Sequence, residues 1–185
     1  MTFTEEKLDK NLELLKEKLE ELAPNNKLIE NIGDKLRTAT FSPNGSDAFV
    51  GDGTFINTIL RKLTPMAIKL NELLPEDKRV ERNSLVKVCL LHQIAKAVKL
   101  IPNDNEWEIQ KRGIYYKYNN ELPSIRTGLY SLALAQEADI KFTVEEVEAM
   151  TINDKDINDD MTRFHSSAFA NIIKMANEMI YISEN

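Results

Sequence analysis

The chain has 185 residues, 24 of them Lys or Arg and 30 Asp or Glu, for a net charge of -6. Its 42% apolar content suffices for one domain with a real core, which excludes wholesale disorder, and the acidic balance argues against broad salt-sensitive binding to DNA or RNA. One cysteine, Cys89, and two histidines, His92 and His165, exclude a disulfide framework and a multi-cysteine zinc site. The stretch Met1 to Glu6 lacks the basic start and apolar core of a signal peptide. The most apolar stretch, Leu85 to Leu100, is interrupted by Lys87, His92, Gln93, Lys96 and Lys99, too short and too charged to cross a bilayer. The expectation is a cytoplasmic protein without membrane contact.

Residues 5–23 read as a helix capped by Thr4, with Glu5 and Glu6 in the first turn where the helix dipole favours them. Leu8, Leu12, Leu15, Leu19 and Leu22 recur at alternating spacings of four and three, a heptad seam. Two heptads fit either a short coiled coil with a second chain or a helix laid on its own domain. Pro24-Asn25-Asn26 ends it, and a second helix runs from Lys27 to Leu36. Residues 37–54 lose helical period and hold Pro43, Asn44-Gly45 and Gly51-Asp52-Gly53, a long loop. Helix returns over 55–74, with Ile56, Ile59, Leu60, Leu63, Ala67, Leu70 and Leu74 on one stripe and Pro65 kinking or splitting it.

After a charged connector, Ser84 is expected to cap a helix over 85–100 that is apolar nearly all round and therefore central. Trp107 and Ile109, then Ile114, Tyr116 and Tyr118, alternate with polar residues around Lys111-Arg112-Gly113, which predicts a small β-hairpin over 105–118. Further helices are expected from Ser124 to Asp139, from the capping box at Thr143-Val144-Glu145-Glu146 to about Met150, and from Ser166 or Ser167 to Ile182. The last should place Phe169, Ile172, Ile173, Ala176, Met179 and Ile180 inward. The sum is an all-α bundle with one hairpin insertion.

Most motifs that suggest chemistry fail on inspection. Asp154-Lys155-Asp156-Ile157-Asn158-Asp159-Asp160 starts like an EF-hand loop, but Asp159 stands where the turn needs Gly and His165 where the bidentate Glu belongs. Gly51-Asp52-Gly53 lies in no phosphate-loop pattern. Cys89 reads as a buried, inert thiol. Lys111-Arg112 with Tyr115 and Tyr116 is only a small basic-aromatic spot, so nucleic acid is not the expected partner. His92, on the most apolar helix, reads either as a satisfied core histidine or as a metal ligand with partners on other helices.

Leu90-Leu91-His92-Gln93-Ile94-Ala95-Lys96-Ala97 resembles the central helix of the HD-domain superfamily, metal-dependent phosphohydrolases named for a His-Asp pair. The closer likeness is to a subgroup common in bacteria and tailed phages, where that helix reads roughly Leu-Leu-His-Asp-Leu-Cys-Lys-Ala; Gln93 stands here at the aspartate. Upstream, Thr38-Ala39-Thr40-Phe41-Ser42 is similar to a Thr-Ala-Pro-Ala-Ser motif. Ser46 then falls on a histidine, Gly51-Asp52 on a Gly-Gly pair, and Ile56 on the histidine of Glu-His-Ser. Downstream, the subgroup has a Trp-containing hairpin. Gly128 and Ser131 then match a Gly-His-Gly-Glu-x-Ser helix start, with Thr127 at its histidine. Asn153 falls near a later histidine, after Val147-Glu148-Ala149-Met150, and Asn177 takes the place of an Asp in the last helix.

The resemblance spans residues 27–185, with residues 1–24 read as an added amphipathic helix. It implies an HD-domain-like helical bundle and, at Ile56, His92, Gln93, Thr127, Asn153 and Asn177, the remnant of a binuclear metal site. Isoleucine ligates nothing, and neutral Thr, Asn and Gln cannot balance two dications. The implied protein is therefore a degenerate HD protein without metal, cofactor or hydrolytic activity, a binding, scaffolding or virion-associated pseudoenzyme of the host cytoplasm or the virion. It would act on a protein partner or a second copy through the Leu8–Leu22 seam, or hold a small polar molecule in the vestigial pocket. The alternative is a metal-dependent nucleotide phosphohydrolase with an altered site, using His92 with Asp52, Asp154 or Asp156.

Overall fold

Thr4 closes the start of α1 (Glu5–Leu22) in the computed structural model, its hydroxyl accepting from the Lys7 amide. The structure describes residues 3–41, 53–154 and 166–184. Asn25, at a φ of 62°, turns the chain into α2 (Leu28–Thr38), and the Lys27 amide donates to the Ala138 carbonyl at 3.0 Å. Gly53 opens α3 (Thr54–Thr58) at a φ of 65°; a Cβ there would meet Leu8 Cδ2 at 2.0 Å and the Arg37 carbonyl at 3.2 Å.

The helix expected over 55–74 is divided ahead of Pro65, which stands in the first turn of a new α-helix. Residues Ile59–Leu63 widen into a π-turn, with the Thr64 amide bonding back to Ile59, and α4 (Thr64–Glu72) follows. The extra residue in that turn moves the proline ring off the preceding carbonyl and absorbs its missing N–H.

Glu81, and not Ser84, caps α5 (Arg82–Leu91): its carboxylate accepts from the Asn83 and Ser84 amides at 2.8 and 2.7 Å. These bonds hold that carboxyl below its ordinary range. The helix expected over 85–100 is interrupted, and α6 (Lys96–Lys99) resumes it after four turn residues. A hairpin is present, but its strands are β1 (Leu100–Pro102) and β2 (Tyr116–Tyr118), antiparallel with Leu100 opposite Tyr118. Between them α7 (Glu106–Arg112) occupies most of the predicted strand region. Asn105 accepts from the Trp107 and Glu108 amides and Gly113 ends the helix at a φ of 64°. Those caps outweigh the alternation of Trp107 and Ile109; Trp107 is 61% exposed.

α8 (Thr127–Glu137), α9 (Val144–Thr151) and α10 (Ala168–Glu184) complete the chain. Both bonds of the Thr143–Glu146 capping box are made. Ser167 caps the start of α10 by accepting from the Ala170 amide at 3.1 Å. Of its predicted inward residues, Phe169, Ile172, Ile173, Ala176 and Ile180 are buried, whereas Met179 is 44% exposed.

The architecture is all-α with one small hairpin. α5 is central, packing against α1, α4, α8, α9 and α10. The leucine seam of α1 turns inward: Leu8, Leu15 and Leu19 are buried and Leu12 and Leu22 half-buried. Leu15 and Leu19 sit in the same apolar cluster as Leu28, Leu36, Phe55 and Leu85, so these two have no surface left to offer a second chain. Among the described residues no helix is long and apolar enough to cross a membrane.

Candidate functional site

The interruption of the central helix makes the site. His92 is the C-cap of α5, and in the turns that follow, the Ile94, Lys96 and Ala97 amides reach back only three residues, to Leu91, Gln93 and Ile94. The Ala95 amide instead donates to Ser131 Oγ of α8 at 3.0 Å. Ser131 is wholly buried, so a hydroxyl placed in the core satisfies the backbone donor that the break releases.

The break sets His92 and Gln93 beside α10. His92 Nδ1 lies 3.1 Å from the Val88 carbonyl and 3.2 Å from that of Cys89, so it carries the proton and donates to them. Nε2 is then an acceptor, and two amides use it: Asn177 Nδ2 at 2.8 Å and Gln93 Nε2 at 3.1 Å. Gln93 Nε2 also donates to Asn177 Oδ1 at 2.7 Å, and Asn177 Nδ2 to the Ile173 carbonyl at 3.0 Å. Turning over either amide would set oxygen against oxygen or against the bare Nε2, so the network defines its own orientation. One atom is left over: Gln93 Oε1 is buried without a hydrogen-bond partner. Burial, with the Lys96 charge adding, pushes the His92 imidazole down to about 4.

These groups form one wall of a cleft of about 320 Å³. Thr127 and Gly128 at the start of α8, Met150 and Asn153 after it, and Glu178 and Tyr181 on α10 line the rest. Five of the six residues singled out in the sequence, His92, Gln93, Thr127, Asn153 and Asn177, therefore meet at one cleft. Ile56 does not. It lies on α3 with 1% exposure, part of the apolar core. Ser42, Ser46, Gly51-Asp52, Asp156, the acidic run 155–160 and His165 lie outside the described residues, and Asp154 ends a short 3₁₀ turn.

Sequence reasoning gave no role to Lys96, which stands on the cleft wall. Its Nζ donates to the Phe41 carbonyl at 2.9 Å and to the Tyr181 hydroxyl at 2.7 Å, and lies 4.5 and 5.3 Å from the ring centroids of Phe41 and Tyr181. None of these partners is a carboxylate, and burial pushes the ammonium down to about 7. The available signal was a lysine set among Ile94, Ala95, Ala97 and Val98, an apolar run that tolerates a charge only for a reason. Cys89 is fully buried, and that burial pushes its thiol up to about 12.

The described residues do not fit a binuclear metal centre. One imidazole contributes, the lone pair it would offer is already taken by two amide N–H groups, and Gln93, Thr127, Asn153 and Asn177 carry no charge. Among the described residues no three His, Cys, Asp or Glu side chains gather to hold an ion. No family model, curated protein or solved structure matches the chain.

Proposed function

We propose that the chain is an HD-type helical protein whose metal site has been replaced by a neutral imidazole–amide network. It works by binding, as a scaffolding or virion-associated protein of a bacterium or tailed phage. The observation that carries this reading is the occupied Nε2 of His92: the atom that would ligate a metal accepts from Asn177 and Gln93 instead. A core can keep such a network, because neutral amides satisfy one another, whereas uncompensated carboxylates in the same place cost several kcal/mol each, on the order of 3–5. The cleft retains polar walls and volume enough for a small molecule.

Metal analysis of the full chain purified without chelator tests the reading. The expected result is no stoichiometric manganese, iron or zinc and no hydrolysis of p-nitrophenyl phosphate. One equivalent or more of such a metal, with a phosphatase activity that His92→Ala abolishes, overturns it. Calorimetry against a panel of nucleotides tests the pocket separately: a binding heat lost in Asn177→Leu supports a polar ligand there, and flat traces throughout remove it.

A further inference from the structure

We infer that Lys96 is a reactive amine and that the cleft takes a small hydroxylated aldehyde or ketone, held as a reversible imine on its Nζ. Three features of the cleft converge on this. The first is access. Lys96 lines the cleft and is only part-buried as a residue, yet its Nζ sits against the Phe41 carbonyl and between two rings. The amine is thus desolvated, on a residue that lines the open cleft.

The second is the set of partners. Among the described residues Nζ meets two neutral oxygens and no carboxylate. Among the described residues, the titratable groups that line the cleft with it are His92 at the end of α5, held neutral by burial, and Tyr181 and Glu178 on α10; Glu178 is exposed. The two ring faces favour the cation, whereas desolvation favours the free amine. An uncharged amine keeps the lone pair that attacks carbonyl carbon, which is how desolvated lysines become nucleophiles.

The third is Gln93 Oε1, a buried acceptor without a donor on the same cleft wall. A ligand that brings a hydroxyl completes it; one that brings a bare anion does not. A carbonyl for Lys96 and a hydroxyl for Gln93 together describe a hydroxyaldehyde or hydroxyketone.

The chemistry needs no further reagent. The Nζ lone pair forms the C–N bond while the carbonyl π pair moves to oxygen, which takes up a proton from nitrogen. The resulting carbinolamine loses that oxygen as water, with the second amine proton, and leaves the imine. Tyr181, its hydroxyl 2.7 Å from Nζ, is placed to pass a proton from nitrogen to the departing oxygen. This inference rests on the reading of the cleft as a ligand pocket without metal. The metal analysis and the trapping experiment are separate measurements, so either can fail alone.

The experiment is reductive trapping. The full chain is treated near pH 7 with limiting glycolaldehyde and cyanoborohydride, digested, and mapped by mass spectrometry, with the terminal amine as internal reference. An ordinary lysine ammonium titrates near 10.4 and is almost wholly protonated at that pH, so the desolvated Lys96 should label more than about 10-fold faster than the exposed Lys27 or Lys78. Its preference for glycolaldehyde over acetaldehyde, normalised to the surface lysines, should fall in Gln93→Leu. Lys96→Arg should remove the fast label while circular dichroism stays unchanged; if that variant unfolds, the map of the unaltered chain still decides. Labelling that follows exposure, with Lys96 no faster than Lys27 or Lys78, overturns the inference, and an unchanged aldehyde preference in Gln93→Leu overturns the hydroxyl requirement.

Discussion

Replacing Lys96 by methionine should make the protein more stable near neutral pH and remove part of its pH dependence. In the unfolded chain the ammonium titrates near its ordinary 10.5; in the folded chain burial brings it to about 7. Between those values the unfolded chain holds a proton that the folded chain has released, so stability rises with pH across that window. Below it, both states are charged and the folded state bears the whole desolvation cost. At about 1.36 kcal/mol per pH unit, the full cost is roughly 5 kcal/mol, of which about 3 is relieved between pH 6 and pH 9.5. Methionine fills most of the same volume and bears none of it. The substitution leaves the Phe41 carbonyl and the Tyr181 hydroxyl without their donor, a loss of about 1–3 kcal/mol. The net expectation is a gain of about 2 kcal/mol at pH 6 that reverses to a small loss at pH 9.5. Urea denaturation of both proteins at the two pH values measures it, and contributions from all other groups cancel in the difference. A difference between variant and parent that does not change with pH would refute the reasoning, because it would mean that Lys96 keeps its charge in both states.

Acid should act through His92 in the same way. Its folded value lies below its unfolded one, so the contribution of His92 is fully present above pH 6.5 and falls by about 3 kcal/mol as pH drops toward 4; a loss over that range that is smaller by about this amount in His92→Gln, by urea denaturation, would trace it to the imidazole. Leu19→Ala, at a fully buried seam position, should cost about 2–5 kcal/mol, whereas a seam that served a second chain would show a shift in mass by light scattering instead. Gly53→Ala should cost about 1–3 kcal/mol by thermal melting, since the residue has positive φ and its Cβ would run into Leu8 and the Arg37 carbonyl. Gln93→Asp combined with Asn177→Asp places two carboxylates beside His92 and, on the HD reading, should confer a melting temperature that rises on addition of manganese; no response in the double variant would count against that ancestry.

Much of the helical framework was legible because it depends on short-range chemistry. Thr4, the Thr143–Glu146 box, the inward face of α3 and, Met179 apart, that of α10 follow from caps and periodicity. Two misreadings have local causes as well. The alternation of Trp107 and Ile109 suggested strands, but Asn105 and Gly113 are a cap pair, and both ends of α7 were available in the sequence. Ser84 looked like a cap, but Glu81, three residues earlier, has a longer reach and two amides to satisfy. Pro65 was expected to kink or split its helix, and the α-helix is divided there, with Pro65 in the first turn of α4; the π-turn over Ile59–Leu63 that makes the division is invisible in periodicity.

By itself the sequence determined an acidic, mainly helical chain with a central apolar helix. Composition and period suffice for that, because burial follows from side-chain chemistry one residue at a time. Only the tertiary structure decided that His92, Gln93 and Asn177, separated by as many as 85 positions, form one closed hydrogen-bond network, that Ile56 stays out of it, and that Lys96 is brought to the cleft without an acidic partner among the described residues. Proton position, desolvation and an unfilled acceptor depend on which groups converge in space, and no stretch of the chain contains that information alone.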